Sequence, residues 1–118
     1  MTRLSEEERD IVEQAIYLPM VLTVLNRDLS VIQLSPFKLK DPYLHLIEGT
    51  MRMIQKELSE VKRYMHKNGL KVQELKRDEE FTMYLFLNKG YEEQHNYFNP
   101  RIRNKVQELI EEYFKRYR

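Results

Sequence analysis

The stretch Leu70-Lys-Val-Gln-Glu-Leu-Lys-Arg-Asp-Glu-Glu-Phe-Thr-Met-Tyr-Leu-Phe-Leu87 decides between two folds for this chain. Read as strands, Leu70-Lys-Val72 alternates, Arg77-Asp-Glu-Glu80 interrupts, and Phe81 to Leu87 is rich in residues that favour β structure. Folding about Asp78-Glu79 sets Leu70 opposite Leu87 and Val72 opposite Leu85, a β-hairpin with a four-residue loop. Read as a helix capped by Asp78, the same residues present Phe81, Tyr84 and Leu85 together with Tyr91 and His95. Aromatic and β-branched content favours the hairpin. Asn88-Lys-Gly90 is then a turn, after which Tyr91 to Phe98 is read as helix.

Upstream lies the clearest periodic segment. Leu44, Ile47, Met51, Ile54, Leu58, Val61 and Met65 step by three and four, the heptad spacing of a one-sided helix. Asp41 stands where an N-cap belongs, Pro42 at the first helical position, and Asn68-Gly69 supplies a left-handed stop. This helix of roughly seven turns needs an apolar partner along its length.

A first helix opens with a capping box, Ser5 with Glu8. It presents Ile11, Ala15, Leu18, Leu22 and Leu25, flanked by Val12, Ile16, Val21 and Val24. So wide an apolar surface implies packing on more than one side. Pro19 predicts a kink near Tyr17-Leu18 and Asn26-Arg-Asp28 an end. Leu29 to Lys40 is too apolar for a free linker and is read as an ordered connection across the core, turning at Ser35-Pro36. Asn99-Pro100 starts a last helix that buries Ile102, Val106, Leu109, Ile110, Tyr113 and Phe114. The expected architecture is mainly α: one domain, a small helical bundle around a central helix at about 42–68, with a β-hairpin at about 70–87. An all-α fold is the alternative.

Bulk composition narrows the function classes. In 118 residues, 20 Lys plus Arg face 19 Asp plus Glu, a net charge of +1, so no global field draws the chain to nucleic acid. Without cysteine, thiolate catalysis, disulfides and Cys-based zinc sites are excluded. The acidic N-terminus is unlike a signal peptide. The run Ala15 to Leu25 is about half the ~20 residues a bilayer span requires. A cytoplasmic protein without a membrane partner is expected.

Candidate sites are few. Glu92-x-x-His95 has the spacing of helical carboxylate–histidine metal ligands, and His45-x-x-Glu48 is its reverse on the central helix. A di-metal site needs two such motifs and further inward glutamates, so ordinary polar residues are the better reading and no cofactor or metal is expected. His66 lies about 30 Å from His45 along one helix and cannot share its metal. Arg101, Arg103, Lys105, Lys115, Arg116 and Arg118, interleaved with Tyr113, Phe114 and Tyr117, could hold phosphates and stack bases. Glu108, Glu111 and Glu112 dilute them, and basic residues are favoured at a helix C-terminus in any case. No phosphate loop, nucleophile elbow or zincin motif occurs.

The segments Ala15-Ile-Tyr-Leu-Pro19, Ser35-Pro-Phe-Lys-Leu39, Lys89-Gly-Tyr91 and Tyr97-Phe-Asn-Pro-Arg-Ile-Arg-Asn104 resemble a small uncharacterised family of Bacillus-type bacteria, the YhjD-like proteins. The resemblance implies a short cytosolic bacterial protein, admits an origin on a mobile element, and supplies no catalytic residues. The expected function is a non-catalytic regulatory or protein–protein interaction module, acting as a homodimer or on a protein partner. The alternatives are a nucleic-acid-binding regulator using the C-terminal basic helix and a metal-binding helical protein.

Overall fold

A computed structural model describes residues 4–117. Arg118 lies outside them. The order is α1 (Glu6–Gln33), α2 (Asp41–Lys67), β1 (Leu70–Arg77), β2 (Phe81–Asn88), β3 (Tyr91–Phe98) and α3 (Asn99–Tyr117). The three strands form one antiparallel sheet in the order β1-β2-β3. The fold is therefore α+β. The expectation of a mainly α helical bundle, and its all-α alternative, are both overturned by this sheet.

The correction falls on Tyr91 to Phe98, which is a strand and not a helix. Lys89 (φ 50°) and Gly90 (φ 89°) both take positive φ between β2 and β3. Two such residues make the tight loop whose twist suits a hairpin, and glycine carries the second position without strain. Alternation then sends Tyr91, Glu93, His95 and Tyr97 toward the helices and Glu92, Gln94, Asn96 and Phe98 away. Because Glu93 and His95 hold inward positions, the period of two is not a hydrophobic one, which hides it in the sequence.

The hairpin at 70–87 exists, but its register differs by one. Leu70 pairs with Asn88 and Val72 with Phe86, and a bulge falls between Glu74 and Lys76. Its cause is the loop. Asp78 Oδ1 accepts from the backbone N–H groups of Glu80 (2.8 Å) and Phe81 (2.7 Å), closing a tighter turn than a four-residue loop. An extra residue on one strand is absorbed as a bulge.

The capping box forms as the sequence implies, with Ser5 Oγ accepting from Glu8 N–H and Glu8 from Ser5 N–H. α1 then runs unbroken through Pro19 and past residues 26–28 to Gln33. At 28 residues it is long and apolar enough, by length and composition, to cross a membrane, contrary to the count from its uninterrupted run. In this fold part of that helix packs on protein, while Val24 and Val31 stay exposed. Val12 and Ile16 join Val61, Met65, Leu70, Tyr84 and Phe86 in a helix–sheet core. Tyr17, Leu18, Val21 and Leu25 join Ile47, Ile54, Leu58, Val106 and Tyr113 in a three-helix core. α2 buries Ile47, Ile54, Leu58, Val61 and Met65, covers Met51 in part, and is capped at its end by Asn68, with Gly69 at φ 68°. Asp41 is its first residue, Lys40 stands at the N-cap, and no side-chain capping bond forms.

The connection between α1 and α2 does not lie across the core. Leu34 is 89% exposed and Leu39 73%, with Val31, Phe37 and Tyr43 about half-exposed. Lys40 Nζ donates to the Gln33 carbonyl (2.9 Å) and Ser35 Oγ to that of Ile32 (2.6 Å), so polar side chains tie the turn while its apolar ones point out. The molecule is elongated, 58 × 32 × 18 Å, with the turn at the end of the α1–α2 hairpin that lies away from the sheet.

Asn99 joins α3 to the β1–β2 loop. Its backbone N–H donates to the Glu80 carbonyl (2.7 Å), its Nδ2 to the Asp78 carbonyl (2.9 Å), and its Oδ1 accepts from the buried Thr82 hydroxyl (2.7 Å). Replacing Asn99 by Ala removes both side-chain bonds and orphans a buried hydroxyl, so a loss of about 1–3 kcal/mol is expected in urea unfolding. Thr82→Val in that background should recover part of the loss, since no hydroxyl is then left unpaired.

Candidate functional sites

Alternation along β3 decides what becomes of the metal candidates. Glu92 and His95 sit three apart on a strand and therefore face opposite sides of the sheet. The one-turn spacing that would align them in a helix does not apply. His45 is exposed and Glu48 partly so on the first turns of α2, and His66 is exposed near its other end. Among the described residues, no group of three or more His, Asp or Glu side chains is gathered as for a metal ion.

The residue that does meet His95 is Glu93, two along the same strand face. His95 Nε2 lies 2.8 Å from Glu93 Oε1, and the Leu4 backbone N–H donates to Glu93 Oε2 (3.0 Å). The Arg9 guanidinium stands 3.8 Å away, and the Glu93 side chain is only 10% exposed. Burial works to raise its pKa, but the His95 bond, the Leu4 N–H and the Arg9 charge outweigh it and hold it below the usual carboxylate range. The His95 ring stacks on Phe86, with centroids 4.4 Å apart. The cluster fastens the start of α1 to the sheet, and sequence spacing missed it because Glu93-x-His95 means something only on a strand.

Two further carboxylates bridge elements. Glu13 of α1 accepts from the Tyr97 hydroxyl (2.6 Å), whose ring sits edge-on to Tyr17 and Tyr84. Glu57 of α2 accepts from the Tyr113 hydroxyl (2.9 Å) and from Arg116, whose guanidinium also lies over the Tyr113 ring. Burial and then the bonded carboxylate raise both phenols, Tyr113 to about 12. Between α1, β3 and α3 runs a cleft of about 780 Å³ lined by Glu13, Tyr17, His95, Tyr97, Phe98, Arg101, Lys105 and Glu108.

The C-terminal basic residues do not make a free basic surface: Arg101, Lys105 and Arg116 lie along one flank of α3, but Glu13, Glu57, Glu108 and Glu112 are interleaved with them. Arg101 and Lys105 share the cleft with Glu13 and Glu108. Arg116 is bound to Glu57. Lys115 lies beside Leu46, Glu111 and Phe114. Arg103 is exposed on another side of α3, two residues from Arg101 and so about 200° round the helix.

What the surface does concentrate is apolar. At the α1–α2 tip, Val31, Leu34, Phe37, Leu39 and Tyr43 fall within one short segment, with the Phe37 and Tyr43 rings 5.4 Å apart. The Tyr117 ring of α3 packs so close over Gly49 that a Cβ there would meet its Cζ at 2.0 Å. The tip therefore overhangs the end of α3 by roughly 12 Å, at 1.5 Å per residue of α2.

A helical hairpin backed at one end by a three-stranded meander and closed by a third helix defines a small α+β protein. Comparison with known families places it further. The family model described as YhjD protein matches residues 3–118, and the chain belongs to that family. The uncharacterized protein YhjD of Bacillus subtilis (strain 168) is 48% identical over 113 residues, which cover 96% of this chain and 94% of the relative. No solved structure matches it.

The pH dependence of the Glu93 cluster follows from its depressed carboxyl pKa. A depressed group contributes stability that is present above its unfolded value and is lost as pH falls through the folded value. Glu93→Gln should lower stability by about 1–3 kcal/mol at neutral pH. Thermal melts of the two proteins should stay apart through the ordinary carboxylate range and draw together only at more acidic pH, as the wild-type carboxyl is protonated through its depressed folded value.

Proposed function

We propose that this chain is a non-catalytic, cytoplasmic interaction protein that engages a protein partner through the tip of the α1–α2 hairpin. The observation that carries the reading is the exposure of Leu34, Leu39, Val31, Phe37 and Tyr43 together at one end of an elongated molecule. Apolar residues scattered singly over a surface need no explanation, whereas a contiguous group marks a contact site. Lys38 and Asp41 give the group a polar rim, as at protein interfaces. Carboxylates that in an enzyme would be held ready for substrate are here engaged with neighbours: Glu13 with Tyr97, Glu57 with Tyr113 and Arg116, Glu93 with His95 and Leu4.

The nucleic-acid alternative has less support. It rests on Arg101 and Lys105 beside Tyr17 and Phe98, in a cleft that Glu13 and Glu108 also line. Retention on DNA and RNA at low salt that is unaltered by Arg101→Glu with Arg103→Glu would remove it.

Leu34→Ser with Leu39→Ser tests the main reading. Both side chains face solvent, so unfolding free energy should change by no more than about 0.5 kcal/mol. In pull-downs from native cytosol, at least one protein held by the wild type should be lost with the double variant. Identical sets of captured proteins would overturn the assignment to the tip.

A further inference from the structure

The second apolar surface is the face of the sheet that none of the described helices covers. β2 is apolar on both sides. Tyr84 and Phe86 point into the helix–sheet core, while Phe81, Met83, Leu85 and Leu87 point away from it. A sheet with helices on one face should alternate apolar and polar along each strand. β1 follows that rule on its outer side with Lys71 and Gln73, and β3 with Glu92, Gln94 and Asn96. β2 does not, and its outer side reads like a strand that is covered twice. Leu85 is only 9% exposed yet belongs to neither core, so its own sheet neighbours shield it, and the patch is a shallow, flat surface. At one end Phe81 and Phe98 are partly exposed, with ring centroids 5.4 Å apart.

We propose that a second copy of this chain packs on this face, β2 against β2, about a two-fold axis parallel to the strands. The register supplies the argument. Across the outer face, Lys71, Leu87 and Glu92 form one row, Gln73, Leu85 and Gln94 the next, and Lys76, Met83 and Asn96 a third. Rotation about such an axis lays β1 of each copy over β3 of the other and keeps the rows in step. Lys71 then faces the partner's Glu92, Gln73 the partner's Gln94, and the β2 side chains meet their own counterparts. A two-fold axis across the strands would instead set β1 on β1. That arrangement parts Lys71 from the partner's Glu92 and leaves Glu92 near Phe98, where no opposite charge meets it. Charge thus selects the first axis, and the surface is complementary to itself, as an isologous contact requires.

The stacked sheets would lie about 10 Å apart with strand directions about 30° from parallel, so β2, the strand nearest the axis, carries most of the contact. Three short strands offer fewer side chains than the roughly 20–30 per partner of a standard interface. The pairing is accordingly weak and reversible, seen on concentration and lost on dilution. It does not rest on the reading of the α1–α2 tip, which lies at the other end of the molecule.

Sedimentation equilibrium of the full chain across a concentration series tests it. The wild type should pass from monomer to twice the chain mass. Glu92→Lys places lysine against lysine in both copies and should weaken pairing by about tenfold or more. Adding Lys71→Glu restores opposite charges and should return the dissociation constant close to the wild-type value. Met83→Lys, with circular dichroism to confirm the fold, should abolish pairing while leaving Lys71 and Glu92 in place, because it sets a lysine against its own counterpart in the apolar strip. A monomer at every concentration overturns the proposal. So does a dimer indifferent to Glu92→Lys and Met83→Lys, a dimer lost with the tip variant Leu34→Ser and Leu39→Ser, or a charge swap that fails to restore pairing.

Discussion

The rest of the structure depends on α1 being apolar around most of its girth. A helix buried along a single stripe needs one neighbour, but this one buries Val12 and Ile16 against the sheet and Leu18, Val21 and Leu25 against α2 and α3. The two cores meet on it. Neither is large, and for a chain of this length that matters, because a small domain has little apolar area to divide. Sharing one helix between them lets a three-helix layer and a helix–sheet layer stand end to end, which accounts for the elongated shape. The same arrangement leaves apolar side chains uncovered at each end of the molecule: the tip on one side and the outer side of the sheet on the other.

Polar side chains decide how these layers are held in register. Asn99 fixes the start of α3 to the β1–β2 loop, Glu93 fixes the start of α1 to β3, and Glu57 fixes the end of α3 to α2. Each sits where one element begins or ends, so each sets an angle that apolar packing alone would leave loose. This placement explains why so many acidic and aromatic residues look suggestive in isolation. Their bonds are mostly to other elements of the fold, and they carry its geometry.

How much of this was legible in the sequence follows from how each segment is buried. α2 was plain because it is buried along one stripe, and a stripe leaves a period. β2 was plain because its aromatic and aliphatic run is dense enough to outweigh the helical reading. β3 was not, since an edge strand tolerates Glu93 and His95 at inward positions and so shows no apolar alternation. Its turn, Asn88-Lys-Gly90, was the available signal: glycine where a second positive φ is needed. Leu34, Phe37 and Leu39 misled in the opposite direction, because apolar residues in a connection imply burial unless the surface itself has a use for them. Of the site candidates, the Glu92–His95 spacing depended on a helix that is not there, and the basic residues along the flank of α3 are matched by carboxylates of α1, α2 and α3 itself.

The anchoring of α1 to β3 also bears on how the chain emerges during synthesis. Glu93 takes the Leu4 N–H and Glu13 takes the Tyr97 hydroxyl across separations of 89 and 84 residues. At the usual 5–20 residues per second, α1 leaves the ribosome roughly four to eighteen seconds before the strand that secures it. α2 can cover one side in that interval, but the sheet and α3 come last. A nascent helix this apolar, waiting for its remaining cover, is the segment a chaperone or a bilayer would meet first, and the speed of translation sets how long it is exposed to them.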